Sequence, residues 1–490
     1  MNARQFWRGQ PALFASPEDA DAPGELDYAT MSVGQRRASG ITLTPAWLVD
    51  RMLGLVEARG SFDTIVDAGA GSGRFAIAAA RRFPASRVVA VENDARMVKL
   101  LRQRIRDGGV QQRIDIVESD FRSAPLESHG RMLLLGNPPY VRHHDIEAQW
   151  KQWYRDGMAA RGIGASQLAG LHAHFMLRAV QLMRPGDALC FVTAAEWLDN
   201  GYGSALRALI TTEGGAPLRS LWLAPADEPV FADALVSAVV VEVECMARSS
   251  PVQLGLIRQR RFERVREIES LGSGSRWSAL CQPGRLEAAQ GIELGELFRI
   301  TRGQVTGRNE VWVLPSESDV VANELTVPAV TRAREIINGS VLAADARIRA
   351  CKVVNLPRDL DQLGTEQRLA ALHFIELALA RGADQGYIAR HRKPWFALDM
   401  REPPAAFVSY MGRRPPVFRP NPQRLSYLNI AHGLYPREPI TASRLRRVLD
   451  HMNRSTDLYS GRVYGGGLAK FEPSDVARLR VPACVLDAAE

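Results

Sequence analysis

The sequence predicts an α/β protein whose first half is a doubly wound, mostly parallel sheet and whose second half is a mixed α+β domain. Three observations carry that prediction. Short β-branched runs alternate with helical patterns between residues 45 and 193. A glycine-rich turn, Asp67-Ala-Gly-Ala-Gly-Ser-Gly73, follows the first run. Acidic residues, Glu92 and Asp120, then stand at the ends of the next two.

The elements follow in order. Trp47, Leu48, Met52, Leu55 and Val56 recur at helical spacing, with Thr44 as the expected N-cap and Pro45 at the first helical position. Strands are expected at 64–67, 87–92, 113–118, 131–136 and 188–193, with helices between them at 73–83, 94–106 and 172–183. A helix near 204–212 precedes a late strand at 236–243. The glycines at 157–164 read as a mobile loop or a long surface connection. Beyond residue 246 composition shifts toward Gly, Ser and Pro, and helical patterns recur only at 367–381 and 443–452.

A chain of 490 residues exceeds what one core serves. The expected division is an N-terminal extension (1–38), partly disordered because 16–27 is rich in acid, Pro and Ala, a catalytic domain (39–246) and a second domain (247–490). No charged leader and no apolar run of spanning length occurs, which predicts a cytoplasmic protein with no membrane partner. The five cysteines are widely spaced and without a CxxC pair, the pattern of reduced thiols and not of a zinc site. Residues 1–245 carry 26 Lys and Arg against 28 acids, a balance of −2, whereas 246–490 carry 36 against 26, a balance of +10. Such asymmetry is the footprint of a polyanion-binding domain beside a catalytic one, or of an Arg-rich solvated surface.

Gly69, Gly71 and Gly73 let the backbone approach a ligand at the carboxyl end of a central strand, with Asp67 before them. Glu92 is placed to accept hydrogen bonds from ribose hydroxyls, Asp120 from an adenine amino group, and Phe121 to stack on that ring. Each acid can equally cap a helix or start a turn, and Asp94 is a better cap than Glu92. Together they describe a nucleoside site, and a glycine turn of this kind serves NAD, FAD and S-adenosylmethionine alike. Asn137-Pro138-Pro139-Tyr140 after the fourth strand discriminates among them. Its amide oxygen, its proline-flanked carbonyl and its ring suit a planar amine under attack on an electrophile, and hydride transfer has no use for them. An Asn-Pro-Pro turn is also ordinary loop punctuation.

In these segments the chain resembles the gamma-class, TaqI-like adenine-N6 DNA methyltransferases of restriction-modification systems. The likeness runs through Gly40-Ile-Thr-Leu-Thr-Pro45, the glycine turn, Glu92, Asp120-Phe121 and Asn137-Pro-Pro-Tyr140. It continues in Leu171-His-Ala-His-Phe175, Gly186-Asp-Ala-Leu-Cys-Phe191 and Val230-Phe-Ala-Asp-Ala-Leu-Val-Ser-Ala-Val239, and covers roughly residues 38–245. Weaker likenesses to restriction-modification methylases lie at 302–309 and 464–470. The resemblance implies a Rossmann-like SAM-methyltransferase sheet with a C-terminal target-recognition domain. It implies S-adenosyl-L-methionine as cofactor, with Thr44 among the residues that hold it, S-adenosyl-L-homocysteine as product, no metal, and double-stranded DNA as partner. It further implies that a flipped adenine offers its N6 to Asn137 Oδ1 and the Pro138 carbonyl, with Tyr140 on one face of the base and Phe231 on the other. Phe231 also reads as a core aromatic before a strand.

Arg142 is a candidate phosphate contact, and His143 and His144 beside it read as loop residues. Arg302, Thr306 and Asn309 in the family-like turn, and Arg413 and Arg414 among interleaved cations and aromatics, are candidates for approaching DNA. The first 38 residues leave no room for a nuclease, so cleavage is expected of a separate restriction endonuclease. Related chemistries on RNA bases or protein glutamine, and a DNA-specificity module of a larger restriction complex, are the competing readings.

Overall fold

The computed structural model describes residues 43–127, 129–211, 217–225, 228–231, 237–245, 251–273, 276–282, 291–339, 342, 350–464 and 468–486. The expected extension (1–38), the Gly40–Thr42 segment, residues 232–236 after Phe231 and the glycines at 465–467 lie outside the described residues. Two compact units emerge, Met1–Arg285 with Tyr464–Gly466, and Leu286–Val463 with Gly467–Glu490.

The first unit is built on one nine-stranded sheet. Its strands are β1 (Thr64–Ala68), β2 (Arg87–Glu92), β3 (Ile114–Glu118), β4 (Met132–Gly136), β5 (Ala188–Ala194), β6 (Leu218–Leu223), β7 (Ala238–Glu244), β8 (Val252–Arg258) and β9 (Arg261–Ile268), in the order β3-β2-β1-β4-β5-β7-β6-β8-β9. Strands β1 to β5 are parallel; β7 runs against β5 and β6, β8 runs parallel to β6, and β9 runs back along β8. Strands β1, β4, β5 and β7 are buried along their whole length, as their continuous apolar runs require.

Helices α1 (Ala46–Glu57), α2 (Arg74–Arg82), α3 (Ala95–Asp107), α4 (Ala148–Ala159), α5 (Leu171–Leu182) and α6 (Gly203–Leu209) accompany the sheet. One apolar cluster packs Leu48, Val56, Ile77 and Leu101 against Ile65 and Leu133; a second packs Tyr154, Phe175 and Trp197 against Val66 and Leu134. Neighbouring residues of one strand thus enter opposite clusters, the period of two that a sheet covered on both faces imposes. Each fully buried Leu, Ile or Phe side chain contributes about 1.5–3 kcal/mol.

Several expectations change. Pro45, not Thr44, is the residue before α1, and its carbonyl accepts from the Leu48 and Val49 amides. Gly157 sits inside α4, where a Cβ would lie 2.9 Å from Leu177, so that glycine admits a close helix contact and the connection begins after α4. Strand β6 was not anticipated, although Leu218, Leu221 and Leu223 are apolar, because flanking Gly, Pro and Ala mask its pattern.

The boundary near residue 246 is also corrected. Strands β8 and β9 complete the first sheet, and the second unit starts at Leu286. This moves eight arginines and only three acids, those of residues 246–285, onto the first unit. The balance becomes +3 for residues 1–285 and +5 for 286–490, so most of the asymmetry read from the sequence disappears.

The second unit is mixed α+β, as expected. It holds a four-stranded sheet ordered Phe298–Arg302, Ala431–Pro436, Ala406–Ser409, Phe418–Pro420, and another ordered Val313–Leu314, Cys351–Val354, Thr326–Val330, Ser426–Tyr427. Helices Thr365–Ala380 and Ala442–Ser455 match the two helical patterns. No helix among the described residues is long and apolar enough to cross a membrane.

Candidate active site

A cavity of about 270 Å³ opens at the carboxyl ends of β1 to β4. Its wall includes Thr44, Gly69, Gly71, Glu92, Asp120, Phe121 and Asn137, seven of the residues expected there from sequence. Strand order reverses between β1 and β4, and this crevice is where open α/β sheets take their ligands.

The glycine turn is held by backbone bonds: the amides of Gly69 and Ala70 donate to the Val91 carbonyl at 3.0 and 2.8 Å. Gly69 and Gly71 have φ of 74° and 53°, left-handed values that favour glycine. A Cβ on Gly69 would reach the Phe175 ring at 3.4 Å and narrow the cavity. Gly73 is not on the wall; it precedes α2 with φ of 81°, and a Cβ there would strike Leu101 at 2.3 Å. Its role is packing of α2 against α3, a correction to its expected ligand contact.

Glu92 is buried and already shared. Its Oε2 accepts from the Gly71 amide at 2.8 Å, and its Oε1 accepts from the Asn93 and Asp94 amides at 2.9 Å. It therefore clamps the glycine turn to the end of β2 and keeps part of its lone-pair capacity for the cavity. Asp94 is the N-cap of α3, accepting from the Arg96 amide. Asp120 starts a turn, accepting the Arg122 amide at 2.8 Å, while the Arg122 guanidinium grips both its oxygens. Burial raises the Asp120 pKa, but the Arg122 contacts outweigh it and hold the carboxyl below its usual range. Phe121 packs on Phe175 with ring centroids 5.0 Å apart, and both rings line the cavity.

Asp67 does not reach the wall. It is buried under the glycine turn, where Oδ2 accepts the Ala76 amide at 2.8 Å and Oδ1 has no hydrogen-bond partner among the described residues. That bond occupies an amide in the first turn of α2 which a pyrophosphate would otherwise use. The donor set thus fits a nucleoside without phosphate better than a dinucleotide: shared acids at Glu92 and Asp120, a left-handed glycine cradle, and a helix N-terminus already taken.

Burial pushes the Asp67 pKa up to about 7, against the lowering effect of the Ala76 amide. The folded protein then binds a proton that the unfolded chain, with an ordinary carboxyl near 4, releases. Its stabilising effect is complete below about pH 4, falls by on the order of 1.4 kcal/mol per pH unit as pH rises, and is lost above about 7. Asp67→Asn is expected to remove this slope. Urea denaturation of both proteins from pH 4.5 to 7.5 measures it, and parallel curves would contradict the assignment.

Asn137 follows β4, and its Nδ2 donates to Thr44 Oγ1 at 3.1 Å. This bond fixes the amide so that Oδ1 is its acceptor end, a buried atom. The Thr44 hydroxyl therefore orients Asn137, while its carbonyl accepts from Arg74 Nη1 at 2.5 Å. Gly136 has φ of 145°, and a Cβ there would lie 2.8 Å from the Ala68 carbonyl oxygen, so β4 approaches β1 closely just before Asn137.

Pro138, Tyr140 and Phe231 do not line this cavity. Tyr140 and Phe231 face one another at 6.2 Å, but at 79° they meet edge to face. No parallel-walled slot is open, so one ring must rotate before a flat base fits between them. The Tyr140 hydroxyl is buried without a hydrogen-bond partner among the described residues, and burial drives its pKa far above the usual phenol value.

The three arginines of the cavity wall, Arg74, Arg96 and Arg122, were not anticipated. Their signal was spacing, since each stands two residues or fewer beyond a glycine or acid of a strand-end turn. Arg142 is exposed beside the motif. In the second unit Arg302 is paired to Glu472, and the Thr306 hydroxyl donates to Asn309 Oδ1 at 2.5 Å and accepts the Arg308 amide. Thr306 is buried and serves the turn, whereas Arg302 and Asn309 are exposed. Arg413 and Arg414 are exposed.

Comparison with known proteins follows the same division. The family described as Type II methyltransferase M.Eco57I, C-terminal domain, matches residues 284–490, and a methyltransferase domain matches residues 65–155. The chain is 40% identical to the Type II methyltransferase M.XamI of Xanthomonas campestris pv. amaranthicola over 91% of this chain and 85% of that protein. It is 18% identical to the Type II methyltransferase M.AccI of Acinetobacter calcoaceticus, over 70% and 67%. Among solved structures, the Type IIL restriction-modification enzyme MmeI in complex with DNA aligns with a TM-score of 0.54 at 11% identity, covering 94% of this chain and 69% of that one. That last likeness is one of fold.

Proposed function

The chain belongs to the Type II methyltransferases, and on that premise we propose that it is a site-specific DNA methyltransferase that methylates adenine at N6 with S-adenosyl-L-methionine. The observation that carries this reading is Asn137, oriented by Thr44 at the rim of a nucleoside cavity. It supports an amine acceptor and not a cytosine ring carbon, since attack at carbon needs a protein nucleophile and none of the cavity residues is a cysteine.

Each residue then has a task. Glu92 and Asp120 hold the ribose and adenine end of the cofactor, and Phe121 bounds its base. Arg74 stands with Thr44 at the other end, where an amino-acid carboxylate fits its guanidinium. The cofactor supplies an electrophilic methyl group when bound. Asn137 Oδ1 and the Pro138 carbonyl accept the two hydrogens of N6, which turns the nitrogen lone pair out of the ring and toward the cavity. Tyr140 and Phe231 rotate apart to stack on the extruded base. Positioning and fixed dipoles supply the rate. Residues 286–490 are the target-recognition domain, and a separate endonuclease recognises the same sequence to complete a restriction-modification pair.

The test is transfer of tritium from labelled S-adenosylmethionine into genomic DNA, followed by digestion to nucleosides. Label in N6-methyldeoxyadenosine is expected. Label in a cytosine nucleoside, in RNA or in glutamine of a protein would overturn the proposal.

A further inference from the structure

The arginines that the corrected boundary returns to the first unit are not spread evenly. Three of them, Arg258, Arg260 and Arg261, occupy four consecutive positions at the tip of the β8–β9 hairpin. Strand β8 runs parallel to β6 and hence in the same sense as β4, so its carboxyl end emerges on the sheet edge that carries Asn137. Four strand intervals separate β4 from β8, which places the tip about 19 Å from the end of β4 by strand spacing.

The tip is a two-residue turn closed by the Arg258–Arg261 pair, with Gln259 and Arg260 at φ of 48° and 59°. Both turn positions are left-handed, the setting in which Asn-Gly is the usual choice. This chain places a glutamine and a cation there instead. The tip is held to the catalytic rim on two sides: the Gln259 amide donates to Glu228, in the segment leading to Phe231, and the Arg260 guanidinium lies 6.0 Å from the Trp47 ring of α1. Below it Phe262 stacks on Trp222 at 5.1 Å. Gln259, Arg260 and Arg261 are exposed, and neither Arg258 nor Arg261 is in an ion pair with a described residue.

We propose that this hairpin tip is a DNA-backbone contact of the catalytic unit, in which Arg258, Arg260 and Arg261 bind phosphates beside the extruded base. The inference rests on DNA being the substrate. The like charges of Arg258 and Arg261, which close the anchored tip, repel one another in the free protein and are relieved by a polyanion. The tip's 19 Å offset corresponds to about five or six base-pair steps along a duplex, within the footprint of a protein whose pocket holds the target base. Arg142, on the motif itself, supplies the nearer contact. The contacts are to phosphate, so they add affinity and register and carry no sequence preference.

The experiment uses the full chain and fluorescein-labelled duplex DNA of mixed sequence, titrated at several salt concentrations. The double variant Arg260→Ala with Arg261→Ala is expected to bind about tenfold more weakly at low salt, and its slope of log affinity against log salt is expected to fall by about 2. Arg260→Lys with Arg261→Lys keeps the charge and is expected to retain the slope. S-adenosylhomocysteine affinity, measured by calorimetry, is expected to stay at the wild-type value in both. An unchanged slope in the alanine variant would overturn the proposal, as would a lysine variant that loses as much, because the residues would then act only on folding. If the wild-type protein itself bound duplex DNA without salt dependence, the DNA-methyltransferase reading would fall instead.

Discussion

Replacing Asn137 by alanine is expected to lower methyl transfer by about 10²–10³-fold while leaving affinity for S-adenosylhomocysteine unchanged. The amide stands at the cavity rim with its Nδ2 donating to Thr44, which under the proposed function leaves Oδ1 to accept from the substrate amine. An acceptor fixed before the reaction stabilises the developing charge on nitrogen without reorganising, which is why its removal affects turnover and not cofactor binding. Single-turnover transfer of tritium to DNA and calorimetric titration with S-adenosylhomocysteine measure the two effects separately. Near-normal turnover in the variant would remove Asn137 from the reaction. Equal losses in both would mean that the substitution had damaged the cavity itself.

Gly136→Ala is expected to be the more disruptive change, although it adds only one methyl group. Gly136 has φ of 145°, a conformation closed to side chains, and its Cβ would sit 2.8 Å from the Ala68 carbonyl oxygen and 3.2 Å from Asp67 Oδ1. Neither neighbour can yield: one is backbone of the central strand, and the other is held by the Ala76 amide. Strain and overpacking of this kind cost about 2–4 kcal/mol. Relief requires β4 to move away from β1, which displaces Asn137 as well. A lower urea midpoint together with lost transfer is expected; a variant as stable as the wild type would show that β4 reaches β1 less closely than the structure has it.

Reading the sequence succeeded where chemistry is local. Five of the strands, and helices α2, α3 and α5 between them, lie where β-branched runs and helical spacing put them, because each such segment carries its own period, whereas α4 was not anticipated. Asn137, Glu92 and Asp120 were legible because strand ends place their residues on one edge of a parallel sheet whatever the packing around them. Thr44 was expected both at the cofactor and as a helix cap; the fold puts it on the cavity wall and spends its hydroxyl on Asn137, 93 positions away, and not on a cap. Gly73 and Asp67 looked like ligand contacts because glycine turns resemble one another, yet a Leu101 side chain explains the first and the Ala76 amide the second.

Charge distribution is not legible from local pattern alone. Composition located the excess of arginine correctly in the second half of the sequence, but composition has no knowledge of which sheet a strand joins. Strands β8 and β9 pair with β6 and with each other, and pairing partners are chosen by edge availability and burial across the whole fold.

By itself, then, the amino-acid sequence determined the order of elements, the parallel sheet and the acceptors at its strand ends, since propensity, period and turn chemistry act over a few residues. Only the tertiary structure decided that Thr44 aims Asn137, that Tyr140 and Phe231 meet edge to face, and that an arginine-tipped hairpin belongs to the catalytic rim. Those are contacts between residues far apart in the chain, set by packing against a shared core, and no local pattern encodes them.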